Sequence, residues 1–418
     1  MLLFFQLVYV ALGLAVAIYS ATSKTRMTHA FTLAFAVNVF PLAIMPYMSM
    51  DSARFLGIPL AYIPIAAAGA VFIFRNPKIN KSNITLCLLC CVFVMYITFN
   101  GFYQHFLFGT IVYYFSWIFN FLLLFTVFSY FSKVEAAIAD GVLRVFFKVL
   151  MAACFIGWFR YITGISPDAN FMPMVNRNGT VVFLIMAAPL LFYVRQKKEI
   201  TFTKFIFFWA VIALTLVLMQ SRSGVLGFIF ITVVYFARAN FKSILASLFA
   251  ISLFSSILMS PVGEKVFKRL ETAQSSVLAV GSGAGIEQGQ KDYARFMLIQ
   301  SALTIFKNNI WFGAGIGVPN YRAEFEEHVS FFSRNSKAHN FYLSYLAELG
   351  IIGFPLLILI LILIYRKLAP LSSDYRAFKV SYLGMALMMT MNEYILLPEL
   401  WFFYGMLGGM SCAIRRAT

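Results

Sequence analysis

Residues 340–365 read NFYLSYLAELGIIGFPLLILILILIY, an apolar stretch in which Glu348 is the one charged residue. A helix needs ~20 apolar residues to cross the ~30 Å of hydrocarbon in a bilayer, and this stretch is long enough. Backbone groups without hydrogen-bond partners are costly in lipid, so a segment that crosses must be helical. The stretch therefore predicts a membrane-spanning helix.

Similar apolar blocks recur along the chain, of whose 418 residues 61% are hydrophobic and 12% are charged. A water-soluble protein of this size needs far more polar surface. The blocks lie near residues 2–21, 28–49, 55–74, 84–100, 106–131, 145–163, 180–194, 204–220, 224–237, 243–260, 340–365, 378–397 and 400–414. We predict an all-α, polytopic integral membrane protein with about 12 (12–13) transmembrane helices.

These blocks divide the chain into three regions. We expect about ten transmembrane helices in residues 1–260, a large periplasmic loop containing helices in residues 261–338, and the C-terminal transmembrane helices in residues 339–418. The block at 2–21 has no basic residues before it and is longer than the apolar core of a signal peptide. We expect it to be retained as the first span.

The net charge of +17 could indicate a nucleic-acid-binding protein, but the distribution of Lys and Arg argues against that class. These residues cluster in alternate short loops, as they do on the cytoplasmic side of inner-membrane proteins. The basic set is Lys24, Arg26, Arg75, Lys78, Lys81, Lys133, Arg144, Arg195, Lys197, Lys198, Arg238, Lys242, Arg366, Lys367, Arg376, Arg415 and Arg416. The remaining loops, which are poor in charge or long, are assigned to the periplasm.

The sequence predicts neither a metal nor a cofactor. All five cysteines lie inside apolar segments, so no disulfide framework or thiolate metal site is expected. The HExxH motif of zinc proteases and an Asp-x-Asp pair are both absent. His328 beside Glu326 and Glu327 fits a solvated acidic stretch better than a metal site. The glycine-rich segment 313–318 lacks the last glycine of the dinucleotide fingerprint and indicates a turn.

The large loop contains one clear helical pattern. Residues 281–289 (GSGAGIEQG) are expected to form a flexible stretch. The helix predicted at 292–308 follows, with an apolar stripe formed by Phe296, Ile299, Leu303 and Phe306. Such a helix can lie on the membrane or pack on the ends of the spans.

Four polar features are not explained by membrane orientation. They are the hairpin Ser221-Arg222-Ser223-Gly224, Arg295 near the start of the loop helix, the segment Lys337-Ala338-His339-Asn340, and Glu348. Taken singly, the first three have structural alternatives: an arginine that reaches lipid headgroups, a solvated arginine, or a structural histidine. A carboxylate inside a span is expensive and indicates a functional or partnered residue. On a continuous helix Glu348 faces about half a turn away from His339, so we do not expect them to pair.

Taken together, these features resemble the O-antigen ligase and polysaccharide polymerase superfamily. The resemblance is carried by residues 339–343 (HNFYL) with 347–353 (AELGIIG), by 293–296 (YARF) through 309–315 (NIWFGAG), and by 221–224 (SRSG). The order of these segments and their predicted side of the membrane both agree with the family. The motifs cover roughly residues 218–355.

The resemblance implies a site at the periplasmic face of the bacterial inner membrane. It implies metal-independent transfer of a glycan from undecaprenyl diphosphate onto a sugar hydroxyl, with inversion at the anomeric carbon. The acceptor is lipid A–core in a ligase and another lipid-linked glycan in a polymerase. Both activities belong to O-antigen, lipopolysaccharide or related surface polysaccharide biosynthesis, and both remain open here because they use the same donor and motifs.

The chemistry of the residues is consistent with these implied roles. A diphosphate leaving group gains negative charge as the glycosidic bond breaks, and the planar fork of arginine binds phosphate oxygens with paired hydrogen bonds. We therefore assign Arg222 and Arg295 to the diphosphate. His339 is assigned to take the proton of the acceptor hydroxyl. Further candidates for binding the diphosphate or the glycan are Asn340, Glu348, Lys337 and Arg322.

A second hypothesis is a transporter or flippase of lipid-linked oligosaccharide, without chemistry of its own. Such a protein should carry charged residues along a path through several spans. Here ionisable residues within the predicted spans are few, and polarity concentrates at the outer face. A peptidoglycan polymerase of the shape-and-division type has a similar hydropathy layout, but the segment 339–353 argues against it.

Overall fold

The computed structural model describes most of the chain, and nearly all of the described residues are helical. The described residues are 2–22, 28–30, 32, 54–55, 58–59, 63–75, 84–103, 107–166, 168–171, 177–236, 290–328, 337–368, 376–391 and 393–417. The predicted helical class is therefore confirmed for this part of the protein.

The part of the chain that the structure describes contains fourteen α-helices. They are α1 (Leu2–Thr22), α2 (Ile63–Arg75), α3 (Ile84–Tyr103), α4 (Leu107–Phe131), α5 (Ala136–Ile162), α6 (Arg177–Ala187), α7 (Pro189–Gln196), α8 (Phe202–Leu218), α9 (Arg222–Phe236), α10 (Gln290–Asn308), α11 (Val318–His328), α12 (Phe341–Leu368), α13 (Arg376–Met389) and α14 (Pro398–Ala417). Two short strands, β1 (Arg54–Phe55) and β2 (Ile58–Pro59), pair antiparallel. A 3₁₀ turn, Tyr394–Leu396, lies between α13 and α14.

Five helices of the described part are long and apolar enough to cross a membrane: Ile84–Phe102, Thr110–Phe131, Ala137–Ile162, Arg177–Gln196 and Phe341–Lys367. Shorter apolar helices cover Val10–Tyr19, Ile63–Phe72, Phe202–Leu218 and Ser223–Phe236. These helices fit a membrane protein. The count of 12–13 spans and the three regions stay predictions, and block 243–260, most of block 28–49 and the stretch 281–289 lie outside the described residues.

Four predicted blocks differ from the observed helices. Block 145–163 is helical from Ala136 onward. Block 55–74 becomes helical at Ile63, after the hairpin of β1 and β2. Block 180–194 is divided into α6 and α7, because Pro189 lacks a backbone N–H and its ring interferes with a preceding carbonyl. Block 378–397 is helical only as far as Met389, and the 3₁₀ turn follows.

The packing of α14 on α4 fixes the segment between α13 and α14. A Cβ atom at Gly409 would lie 2.6 Å from the backbone oxygen of Phe128, so only a glycine allows this approach. Small residues let membrane helices pack closely in this way. Nearer the start of α14, Trp401 Nε1 donates a hydrogen bond to the carbonyl oxygen of Ile395 at 2.5 Å. The 3₁₀ turn is thereby held against the bundle.

One end of the bundle gathers basic residues, and we call it the basic end. Arg144 Nε lies 2.6 Å from Glu199 Oε1, which joins the start of α5 to the connection before α8. Arg376 Nη2 donates to the carbonyl oxygen of Val234 at 2.6 Å and joins α13 to the end of α9. Both arginines belong to the set predicted to face the cytoplasm.

The other end of the bundle carries uncharged polar contacts, and we call it the polar end. Asn320 Nδ2 lies 3.4 Å from Thr110 Oγ1, which joins α11 to α4. Asn100 Nδ2 donates to the carbonyl oxygen of Phe312 at 2.5 Å and joins α3 to the connection after α10. Phe312 and Asn320 belong to the loop predicted to be periplasmic, and Asn100 and Thr110 lie near the facing ends of blocks 84–100 and 106–131. The assignment of the polar end to the periplasm stays a prediction.

Candidate functional site

The start of α12 lies at the polar end and carries two of the predicted site residues. Asn340 caps this helix, because its Oδ1 accepts the backbone N–H of Leu343 at 3.1 Å. Its Nδ2 donates to the carbonyl oxygen of Thr390, just after α13, at 2.9 Å. His339 precedes the cap, is exposed, and has a φ of 49°. That left-handed conformation is uncommon outside glycine, so the surroundings must hold it.

A buried ion pair joins Lys337 to Glu348. The two side chains are only 10% and 1% exposed. The Lys337 ammonium lies 5.6 Å from the ring centroid of Tyr113 and 5.3 Å from that of Tyr345. A carboxylate and two aromatic faces therefore surround the cation, and both attract it. Glu348, for which the sequence indicates a partner, has Lys337 as that partner.

Lys337 keeps its charge despite its burial. Burial lowers the pKa of Lys337, but the negative charge of Glu348 and the other neighbours raises it, and the pKa ends above its ordinary value. The ammonium is therefore protonated at neutral pH, with Glu348 as its counterion. Binding of a diphosphate by Lys337, as the sequence suggests, stays a prediction.

A second carboxylate, Glu393, faces the same lysine from the segment between α13 and α14. Ser344 Oγ donates to Glu393 Oε1 at 2.7 Å, and the backbone N–H of His339 donates to the same carboxylate. Burial raises the pKa of Glu393 to about 7, although the charge of Lys337 opposes the shift. The side chain is therefore partly protonated near neutral pH, in direct contact with the backbone of His339.

Tyr321 of α11 lies in the same buried cluster. Its side chain is 2% exposed, and its hydroxyl has no hydrogen-bond partner among the described residues. Burial, together with the nearby carboxylates of Glu393 and Glu348, raises the pKa of Tyr321. The hydroxyl is therefore neutral at physiological pH and lies near both carboxylates. The cluster of Lys337, Glu348, Glu393 and Tyr321 is called the buried acid–lysine cluster below.

A break in α12 joins two of the sequence motifs. Gly350 has φ 63° and ψ −171°, which interrupts the helical hydrogen bonds at this point. The freed carbonyl oxygens of Ala347 and Glu348 accept from the N–H groups of Ala314 (2.9 Å) and Gly315 (3.0 Å). In return, the N–H of Ile351 and Ile352 donate to the carbonyl oxygens of Ile310 and Trp311, at 2.8 and 3.3 Å respectively. The segments 309–315 and 347–353 are thus one backbone unit.

The glycines of the turn after α10 are required by this close approach. Gly313 has a φ of 74°, and a Cβ atom there would lie 2.3 Å from the backbone carbon of Glu348. Gly317 has a φ of 100°, and a Cβ atom there would lie 2.6 Å from the ring of Tyr113. The segment 313–318 is therefore a turn, as the sequence predicts, and it covers the buried acid–lysine cluster.

Arg222 is the first residue of α9, at the polar end. The preceding Ser221 caps the helix, with its Oγ accepting the N–H of Gly224 at 3.1 Å. A Cβ atom at Gly227, one turn further on, would lie 2.7 Å from the Sδ atom of Met388. The start of α9 therefore lies against the end of α13, close in the chain to Thr390 and Glu393.

Arg295 lies in α10, whose predicted existence is confirmed and whose predicted apolar stripe is buried only in part, through Phe306. The residues buried against Ala347 of α12 include Leu298, Ala302 and Ile305. Leu303, which belonged to the predicted apolar stripe, is 41% exposed. α10 therefore packs on the start of α12 through these residues and Phe306, while Leu303 faces away from the contact. Arg295 lies one turn before Leu298 and therefore near this contact.

Arg322, another predicted substrate-binding residue, lies in α11 next to the buried Tyr321 and is partly exposed. The structure thus brings α10, α11, the turn 313–317 and the start of α12 together, with Thr390 and Glu393 beside them. These elements carry Arg295, Arg322, Lys337, His339, Asn340 and Glu348.

The segments that carry the resemblance are therefore adjacent in space as well as ordered in sequence. Residues 205–358 match the protein family described as O-antigen ligase. The resemblance to the O-antigen ligase and polysaccharide polymerase superfamily is confirmed by this match. The matched range begins in α8 and ends in α12, so it includes Arg222, Arg295, His339 and Glu348 of the candidate site. A comparison with curated proteins finds no match to the chain.

Sequence reasoning missed Glu393, Tyr113, Tyr321 and Tyr345. Glu393 also lies beyond the part that matches the O-antigen ligase family. The signal for it was an acidic residue inside the predicted block 378–397, and a carboxylate inside a span indicates a functional or partnered residue. The tyrosines have no distinguishing signal, because the chain has 21 of them.

Proposed function

We propose that the protein transfers an undecaprenyl-diphosphate-linked glycan at the periplasmic face of the bacterial inner membrane, without a metal. The product is O-antigen, lipopolysaccharide or a related surface polysaccharide, and the activity is that of a ligase or a polymerase. The observation that carries the proposal is the match of residues 205–358 to the O-antigen ligase family. Its characteristic segments meet at one end of a bundle of apolar helices, which supports a site at a membrane surface.

In the proposed reaction, Arg222 and Arg295 bind the diphosphate of the donor. As the bond from the anomeric carbon to the diphosphate breaks, the charge on the leaving group grows, and fixed guanidinium groups near a low-dielectric boundary stabilise it. Two separate helices, α9 and α10, supply the arginines. Undecaprenyl diphosphate leaves with the electron pair of the broken bond.

His339 is proposed to act on the acceptor. A sugar hydroxyl of lipid A–core or of a second lipid-linked glycan attacks the anomeric carbon from the side opposite the leaving group, which inverts its configuration. The imidazole takes the proton of that hydroxyl, a contribution of typically ~10²–10⁴-fold. Its exposure at the polar end supports this role, since the acceptor must reach it from outside the bundle.

The remaining residues are proposed to support these three. Lys337 and Glu348 neutralise each other and hold the connection before α12 to the helix, so they orient His339. Asn340 caps α12 and links it to the end of α13. Arg322, partly exposed on α11, is proposed to contact the glycan.

A transporter or flippase of lipid-linked oligosaccharide is the second candidate. Such a protein needs polar groups along a path through the membrane. The charged residues described above instead concentrate at the two ends of the bundle. The transferase is therefore favoured.

Deletion of the gene, followed by gel analysis of the lipopolysaccharide, tests the proposal. Single repeat units on the core indicate a lost polymerase. Cores without O-antigen, together with accumulated lipid-linked chains, indicate a lost ligase. Unchanged surface glycans in the deletion strain contradict both.

Point variants test the proposed roles in the same strain. Arg222→Ala, Arg295→Ala and His339→Ala should each reproduce the deletion phenotype while the protein still inserts in the membrane. Arg144→Ala, which alters an arginine of the basic end, is the matched control and should restore wild-type glycans. Full activity of any one of the three test variants removes that residue from the mechanism.

A further inference from the structure

We propose that Glu393 is the positioning residue that holds His339 in its working conformation. This inference rests on the proposed function. Glu393 lies outside the segments that resemble the family and outside the range that matches it. It contacts the backbone of His339, so it acts through the histidine.

The first support is geometric. The carboxylate of Glu393 accepts the backbone N–H of His339, while the carbonyl oxygen of Thr390 accepts from Asn340 Nδ2 at 2.9 Å. The segment 390–393 therefore holds the chain at His339 and at the residue after it. His339 has a φ of 49°, a conformation that costs a non-glycine residue roughly 1–3 kcal/mol unless the surroundings impose it. Glu393 supplies part of that restraint.

The second support is the way Glu393 itself is fixed. Ser344, one turn into α12, donates to Glu393 Oε1 at 2.7 Å. The carboxylate thus bridges the connection before α12 and the helix itself. Trp401 and Ile395 anchor the following turn to α14, as described above. Glu393 is therefore restrained by Ser344 and by the anchored turn that follows it. Its carboxylate offers the N–H of His339 an acceptor at a fixed position.

The third support is electrostatic. The charged and titratable groups that act on Glu393 are Lys337 from the preceding connection and Glu348 from α12, and Glu393 in turn acts on Tyr345, Tyr321 and Tyr394. Lys337 is the one cation among them and is paired with Glu348. Burial raises the pKa of Glu393 to about 7, so the carboxylate loses and gains its proton near neutrality. The ionised form has more acceptor capacity for the N–H of His339 and the hydroxyl of Ser344.

Two consequences follow for the reaction. Loss of the carboxylate should misplace the imidazole, and a displacement of ~1 Å can lower turnover by ~10²-fold. Protonation of Glu393 should weaken the same restraint, so turnover should fall on the acid side with a midpoint about 7. Binding of the donor through the arginines should change little.

The test measures turnover by the purified full-length protein in lipid nanodiscs. The donor is the lipid-linked glycan that accumulates in the deletion strain, and kcat and KM are measured from about pH 5.5 to about pH 9. Glu393→Ala should lower kcat by ~10–100-fold with little change in the KM for the donor, and Glu393→Asp should recover part of the loss. Glu393→Gln should lower kcat over this pH range and remove the part of the acid limb, centred near 7, that Glu393 causes.

Ser344→Ala provides a second variant in case the changes at Glu393 impair folding. The Ser344 hydroxyl favours the ionised carboxylate, so its removal should raise the pKa of Glu393 and move the acid limb to higher pH. Glu199→Gln, at the basic end, is the matched control and should behave as the wild type.

The inference is overturned if Glu393→Gln keeps both the wild-type kcat and the wild-type acid limb. It is equally overturned if the variants lower only the amount of folded protein, with unchanged kcat per folded molecule. In either case loss of activity in His339→Ala leaves the proposed function intact. Absence of transfer by the wild type at every pH contradicts the proposed function instead.

Discussion

Lys337 carries a positive charge into the protein interior, where Glu348 compensates it. Breaking a buried ion pair by removing one partner typically costs about 3–5 kcal/mol, because the other charge stays buried without compensation. Lys337 also contacts the rings of Tyr113 and Tyr345, so its alkyl chain contributes packing as well. The pair is therefore expected to matter for stability as well as for activity.

We predict that Lys337→Met and Glu348→Gln each lower the thermal stability of the detergent-solubilised protein, by about 3–5 kcal/mol. The double variant should lose less free energy of unfolding than the two single variants lose together, because it leaves no buried charge without a partner. Arg144→Ala breaks a half-exposed pair at the basic end and should cost about 0–1 kcal/mol. Strictly additive losses in the double variant would contradict a direct interaction.

Glu393 makes stability depend on pH in a direction set by its raised pKa. Its pKa in the folded protein is about 7, against an ordinary value of 4.5. The folded state therefore binds this proton more tightly than the unfolded state does. The resulting contribution to the free energy of unfolding is present below pH 4.5 and is lost as the pH rises through about 7.

We predict that Glu393→Gln flattens this part of the stability profile. The wild-type melting temperature should fall between pH 4.5 and about 7 relative to that of the variant. Melting curves of both proteins over this range measure the effect. Parallel profiles would show that Glu393 titrates normally. If the predicted difference is found, the ionised form of Glu393 lowers the stability of the fold while it maintains the contact with His339.

At the scale of elements, the break in α12 determines how the site is assembled. Gly350 has a backbone conformation essentially restricted to glycine, and a Cβ atom there would lie 2.5 Å from the carbonyl oxygen of Trp311. The break frees backbone groups of α12 to bond with the turn after α10. Both the break and the turn are needed to cover the buried acid–lysine cluster.

We therefore predict that Gly350→Ala strongly destabilises the protein, by more than the ~1–3 kcal/mol of backbone strain alone. Activity should be lost with it, because the turn and α12 must separate. Gly141→Ala is the matched control: nothing lies within 4 Å of its Cβ position, and the change should stabilise α5 by ~0.5–1 kcal/mol. Thermal melting of the two purified variants checks both expectations, and a Gly350→Ala protein with wild-type melting would contradict the structure of the break.

The elements differ in how well the sequence predicts them. The apolar blocks and α10 follow from length and helical periodicity, and their boundaries agree with the structure within a few residues in most cases. The exchange of backbone hydrogen bonds at Gly350 joins segments far apart in the chain, so no local pattern reveals it. The angular argument assumed one continuous helix, but His339 lies before the first residue of α12. It also could not supply Lys337, which approaches Glu348 from outside the helix.

For the whole molecule, the distribution of charge predicts which helix ends lie together. Arg144 and Arg376 lie at the same end of the bundle. Asn100, Thr110 and Asn340 lie at the other end. The alternation of basic loops is sufficient for this, because orientation in the membrane is set by short basic segments. Glu393 could not be assigned to the site in the same way, since its neighbours come from other parts of the fold.

We predict that the polar end faces the periplasm. In a variant without native cysteines, Lys307→Cys at the exposed end of α10 should react with a membrane-impermeant maleimide in spheroplasts. Lys133→Cys, exposed at the basic end, should react only after the membrane is permeabilised. The reverse pattern would put the candidate site in the cytoplasm and contradict the proposed reaction.

The most direct measurement of the central claim uses the purified protein in proteoliposomes that contain the lipid-linked glycan and its acceptor. Wild type should form the glycan–acceptor product and release undecaprenyl diphosphate, while His339→Ala should bind the donor and form no product. Movement of the donor across the bilayer without any product, in a preparation with both substrates present, would contradict the account and indicate a flippase.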